Sequence, residues 1–279
     1  MTIIWLSLGM INGEQKIFVW CDFSEEMENA IAHGLMIATI LRKELCLLHI
    51  WAKKMHENIE MAEAKLRGIA AHVVNLAPTV KVHFIVRHEL FSEILTDLAE
   101  VYDCILLVAH KNNVPQLLPD LKYSGFPFLF VSSKSCNEKV YTRIVVPVGY
   151  MKKSKDLALW ASYLGRHNGA LVDIFTASES SEGDRKEVKS NLYSIERLYS
   201  KFSFPFEVIE SHSPTWKLQK IALIHSLSLK CGLLIIAASY KPTFIDKLLG
   251  LTEEKVIEKS EDLSVMCVNS QRDFYTFCG

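Results

Sequence analysis

The apolar run Ile17-Phe-Val-Trp-Cys-Asp22 ends on a carboxylate, and Ser24 follows two positions later. An aspartate at the end of a buried strand can meet a ligand in the crevice at the carboxyl edge of a parallel sheet. The plainer role is local: Asp22 or Ser24 precedes a helical pattern, where such side chains satisfy orphan backbone N–H groups. A second polar cluster, His110-Lys111-Asn112-Asn113, follows another apolar run and offers an imidazole, an ammonium and two amides at a strand exit. It can contact a ligand there, or it is simply a loop. His49 closes a third run with no carboxylate beside it, which reads as a satisfied core histidine rather than a general base. Lys241 and Lys247 can meet an anion or stand solvated. Cys21 is a poor nucleophile, because a reactive thiolate needs an electropositive setting and Asp22 opposes one.

No G-x-S-x-G elbow, Walker loop or H-E-x-x-H helix occurs, so the sequence offers no catalytic constellation. The 31 basic and 32 acidic side chains give a net charge of −1, without the basic surplus a nucleic-acid binder needs. The ten histidines lack ligand spacing, and no metal site is expected. The seven cysteines form no C-x-x-C pair. Cys21, Cys46, Cys104 and Cys267 lie inside apolar runs and read as small buried hydrophobes, which fits a reducing, cytoplasmic compartment. No apolar run reaches the roughly 18 residues that span a bilayer. The apolar stretch Met1–Asn12 lacks a basic region before it and a cleavage site after it, so an extra edge strand is expected rather than a signal peptide.

Around these residues the chain repeats with a period of about 125–130 residues. Ile17–Asp22 and Ile144–Gly149 each open a unit, followed by an amphipathic helix. Second strands are Leu45–Ile50 and Ala170–Phe175; long helices follow at about 53–75 and 183–203. Third strands lie at Val82–Val86 and Phe206–Ile209, with helices near 90–101 and 214–230. Fourth strands, Cys104–Ala109 and Leu233–Ala238, are almost wholly apolar, and Phe128–Val131 and Ser264–Val268 close the units. Continuous apolar strands alternating with amphipathic helices mean parallel sheets covered on both faces. Right-handed crossovers then give two tandem doubly wound α/β domains, at 13–134 and 141–270, joined by a polar linker. The aromatic tail Asp273–Gly279 is expected to pack against something.

Several strings, in this repeated order, resemble the universal stress protein family in its tandem form. Val19-Trp-Cys-Asp22-Phe-Ser24-Glu is similar to the family's V-x-x-D-x-S-E opening, and Leu47-Leu-His49-Ile50 to its L-x-H-V strand. Ile144-Val-Val-Pro147-Val148 is similar to I-L-V-P-V, and Leu249-Gly250 through Glu253 and Val256 resembles L-G-S-x-x-E-x-V. The resemblance covers about residues 15–270 and implies that the units pair through their fifth strands as an intramolecular pseudo-dimer. It further implies a nucleotide site at the carboxyl ends of the strands. Its vestiges would be Asp22, Ile50, Val108 and Ala109 in the first half, with Ala237 and Gly250 in the second.

The family's phosphate loop is G-x2-G-x9-G-[ST]. In the second half its positions fall on Ala237, Tyr240, Gly250 and Leu251, and Gly149 replaces the opening aspartate. In the first half 22 positions separate Ala109 from Val131, against 31 between Ala237 and Val268, so nine positions of loop are missing. The expectation is therefore a non-enzymatic stress-adaptation protein without a cofactor and without the family's ATP binding. It would act through a small-molecule ligand or a protein partner, as a homodimer, and would bind neither nucleic acid nor membrane. One alternative retains an adenine nucleotide in one half and weakly hydrolyses or senses ATP. Another is a purely structural pseudo-dimer scaffold.

Overall fold

The computed structural model describes residues 14–51, 59–132, 140–229, 232–238 and 253–269. Chain order begins with β1 (Lys16–Trp20), α1 (Met27–Leu41), β2 (Glu44–Ile50), α2 (Ile59–Leu76), β3 (Val82–Arg87), α3 (Phe91–Glu100) and β4 (Cys104–His110). A 3-10 turn (Lys111–Asn113), the short helix α4 (Val114–Leu117) and a second 3-10 run (Leu118–Tyr123) lead to β5 (Phe128–Val131). The rest is β6 (Arg143–Val148), α5 (Ser154–Asn168), β7 (Leu171–Thr176), α6 (Glu182–Lys201), β8 (Phe206–Glu210), α7 (Thr215–Ser228), β9 (Leu233–Ala237), α8 (Glu253–Glu258) and β10 (Ser264–Val268).

The first strands form because their apolar residues bury on both faces. Residues 17–20 are buried in β1, and all seven residues of β4 are buried. Helices α1 and α5 end where the backbone turns left-handed. Arg42 takes φ 53° after α1, and Gly169 takes φ 59° after α5, the conformation that frees helix carbonyls to find new donors.

All ten strands join one sheet in the order β3-β2-β1-β4-β5-β10-β9-β6-β7-β8. Each half thus arranges its strands third, second, first, fourth, fifth, and the two series meet back to back. Every neighbouring pair is parallel except β5 and β10, which run antiparallel with Phe130 opposite Val265 and Phe128 opposite Cys267. The antiparallel pair follows from the resemblance of the halves: a two-fold relation between equal strands reverses their direction.

Helices α1, α2, α5 and α6 cover one face of the sheet and α3, α4, α7 and α8 the other. Each layer's core runs through both halves, joining Val19, Ile37 and Leu66 with Val146, Trp160 and Ile195 on one side. On the other side Phe18, Leu95 and Phe128 join Leu223, Ile236 and Val265. Helix α1 also packs on α5 across the seam. Cys21, Cys46, Cys104 and Cys267 are buried in these layers and form no disulfide, and burial pushes the thiols of Cys21, Cys46 and Cys267 well up. No helix among the described residues is long and apolar enough to cross a membrane.

Candidate functional site

In a doubly wound sheet the crevice opens where the strand order reverses, here between the ends of β1 and β4 and of β6 and β9. The register that pairs Val19 with Val108 brings Asp22 next to the exit of β4. Asp22 is not the cap of α1, whose first turn begins behind Glu26. Its Oδ1 accepts hydrogen bonds from the Ser24 amide at 3.0 Å and the Ser24 hydroxyl at 2.7 Å, closing a tight turn through Phe23 at φ 61°. Its Oδ2 accepts from Asn113 Nδ2 at 2.7 Å. Burial alone would raise the Asp22 carboxyl; the donors on Asn113 and Ser24 outweigh it and hold the group below its usual value.

Asn113 is buried at the end of the 3-10 turn that follows β4. His110 accepts the Asn112 amide at 3.2 Å and so starts that turn. Burial lowers its imidazole, against the pull of Glu26 and Asp22. The cluster read from the sequence as a polar loop is therefore ordered helical turn, and one of its amides is a partner of Asp22. Lys111 points the other way, across the seam. Its Nζ donates to Ser260 Oγ at 2.6 Å and to Glu261 O at 2.5 Å, and burial pulls its ammonium down to about 8.

Of the other first-half positions, Val108 and Ala109 are buried inside β4, and Ile50 is the partly buried last residue of β2. His49 is buried, its Nδ1 at 2.7 Å from Cys21 O, so that nitrogen carries the proton. Nε2 has no hydrogen-bond partner among the described residues, and Phe23 packs on the ring at 4.5 Å.

The described residues at the end of β6 in the second half are held differently. Gly149 stands where Asp22 stands in the first, and a Cβ there would lie 2.4 Å from Thr215 Cγ2. Thr215 opens α7, with its backbone N–H and its hydroxyl both donating to Glu179 Oε1 at 2.7 and 2.5 Å. A carboxylate of the chain itself thus occupies the donors at this helix start. Asn191, buried in α6, donates to the carbonyls of Gly149 and Met151 at 2.9 and 3.0 Å. The carbonyl of Ala237, last in β9, accepts from Gln219 Nε2 at 3.1 Å. Gly250, with Tyr240, Lys241, Lys247 and Leu251, lies outside the described residues, as do Met1–Asn12 and the tail from Asp273.

The structure therefore unites Asp22 with Asn113, which are 91 positions apart, and leaves Ala237 in the other half. Thr215 and Glu179 were not singled out as ligand-site residues from the sequence, whereas Asn113 was, as part of the polar cluster at the exit of β4. What the sequence did not give was its pairing with Asp22. No group of three or more metal-binding side chains occurs among the described residues.

No protein-family model and no curated protein matches the sequence. Solved structures do. A universal stress protein from Archaeoglobus fulgidus DSM 4304 superposes with a TM-score of 0.67 at 17% identity, covering 91% of this chain and 98% of its own. The fold is that of the universal stress proteins. Two Pseudomonas aeruginosa proteins agree. One, from PAO1 and of unknown function, matches with a TM-score of 0.64 at 14% identity, over 91% of this chain and 92% of its own. The other, from UCBPP-PA14 and assigned to the universal stress proteins, gives 0.62 at 14% identity, over 91% and 93%. In this fold the strand order reverses at β1 and β4, and the carboxylate there, Asp22, accepts from Asn113.

Proposed function

We propose that this chain is a tandem stress-adaptation protein that acts by binding rather than catalysis and no longer holds ATP. The stress role rests on its fold and on the family strings in its sequence. The loss of ATP rests on one observation above others: Asn113 donates to the Asp22 carboxylate at 2.7 Å, in the place where a nucleoside's hydroxyls would need it. The rest of the first-half segment supports the same reading. Helical turn replaces the glycine-rich loop between β4 and β5, and helical N–H groups spent within turns do not cradle phosphates. The second half offers Glu179 on Thr215 where an incoming anion would need bare donors.

What remains is a ligand without a triphosphate, or a protein partner. Isothermal titration of the full chain with MgATP tests the reading. The expected result is no saturable heat at millimolar nucleotide; a dissociation constant near 1 μM, about −8 kcal/mol, would overturn it.

A further inference from the structure

The 3-10 turn Lys111–Asn113 has one end in each half. At its C-terminal end Asn113 holds Asp22, in the first-half crevice, at 2.7 Å. Two residues earlier Lys111 reaches Ser260 Oγ at 2.6 Å and Glu261 O at 2.5 Å, in the turn that feeds β10. We propose that this turn is a coupler, through which the state of the Asp22 crevice sets the order of the β10 entry in the other half.

Three features make the coupling mechanical rather than merely spatial. The turn is short and closed on itself: His110 Nδ1 accepts the Asn112 amide, Val114 N donates to Lys111 O, and Pro115 follows at once. A displacement of Asn113 is therefore passed along a tied backbone to Lys111, two residues away. The receiving turn is conditionally stable. Glu261 is a non-glycine residue at φ 46°, a conformation that costs on the order of 1 kcal/mol and persists only while neighbours over-determine it.

Those neighbours come largely from the first half. Ser260 spends its proton on Ile257 O at 2.7 Å, leaving its oxygen to accept from Lys111. Ser132, just past β5, donates to Asp262 O at 2.9 Å. Whatever takes Asn113 off Asp22, a competing hydroxyl or loss of the carboxylate, lets the turn tilt and withdraws Lys111 from a strained acceptor. The inference goes beyond the proposed function, since it holds whether or not the crevice ever meets a ligand.

Hydrogen exchange of the full chain provides the test. Asp22→Ala removes the anchor of Asn113 without touching the second half. We expect the amides at 261–264, including Leu263, which donates to Ser260 O at 2.8 Å, to exchange about tenfold faster. Lys111→Met should do the same by itself, and the double variant should add nothing further, because both break one chain of contacts. Asn113→Ala repeats the test if Asp22→Ala folds poorly. Exchange at 261–264 within twofold of wild type in both crevice variants would overturn the coupler. So would an acceleration spread equally to β8, which contacts neither residue, since that is general loss of stability.

Discussion

His33 lies in α1, 2% exposed, with its Nδ1 2.5 Å from the hydroxyl of Tyr141 in the other half. Burial lowers its imidazole from 6.5 to about 4. The sign follows from proton counting. Between those values the unfolded chain binds a proton that the folded chain refuses, so stability falls as pH drops from 6.5 towards 4 and levels off below. The full effect is about 3 kcal/mol. Urea midpoints of wild type and His33→Gln across that range should show it: the variant is less stable at pH 7, and its stability changes less between pH 7 and 4. Equal pH dependence in both proteins would refute the assignment.

A second residue-scale prediction concerns Gly149, the missing aspartate of the second half. Gly149→Asp should not restore nucleotide binding, because its Cβ meets Thr215, which Glu179 pins through two hydrogen bonds. The variant should instead melt earlier, by about 1–3 kcal/mol of overpacking. Saturable binding of MgATP to this variant would contradict that view.

At the scale of elements, two glycines separate close packing from idle flexibility. Gly232 leads into β9, and its amide donates to Arg143 O at 3.1 Å, stitching the foot of β9 to β6. A Cβ there would sit 1.6 Å from the carbonyl oxygen of Val140, a backbone atom that cannot swing away. Gly232→Ala should cost about 3 kcal/mol or more and loosen the β6–β9 pairing. Gly68 is the opposite case. It lies in the exposed face of α2, where a Cβ meets nothing within 4 Å. Gly68→Ala should stabilise by about 0.5–1 kcal/mol, through a less flexible unfolded chain and a better helix former. Paired thermal melts decide both signs.

For the whole molecule, the seam governs behaviour. Phe126, Phe128 and Phe130 are buried, and β5 has β10 on its outer side. Around this pairing, Asn269 donates to the carbonyls of Leu121 and Ser124 at 2.8 Å each, and Lys111, Ser132 and His33 reach across as well. Because both core layers pass through the seam, the halves should unfold together. We expect one cooperative transition with coincident probes, and Phe128→Ala should lower the stability of both halves by about 3–5 kcal/mol. The first half expressed alone exposes the β5 edge with its phenylalanines and should self-associate in sedimentation experiments. Small-angle scattering of the full chain should give a single compact envelope; two independently tumbling lobes would exclude the seam.

The apolar runs determined the strands, because a segment buried on both faces has no polar positions to spare, and β4 and β5 could be placed almost to the residue. The repeated order determined the doubly wound topology. The family resemblance implied that the fifth strands pair at the seam, and the aromatic residues Phe128 and Phe130 are covered there by β10. Cys46 and Cys104 were legible as core for the same reason. Asp22 was legible as a polar residue at the end of β1 but its hydrogen bond was not: the partner, Asn113, comes from a distant turn, and side-chain hydrogen bonds leave no periodic trace in sequence. The same holds for Glu179 on Thr215 and for Lys111 on Ser260. Composition and spacing report what must be buried, which is a property of each segment. Which donor meets which acceptor is decided only when the crossovers bring strand ends together, and at that step Asn113 meets Asp22.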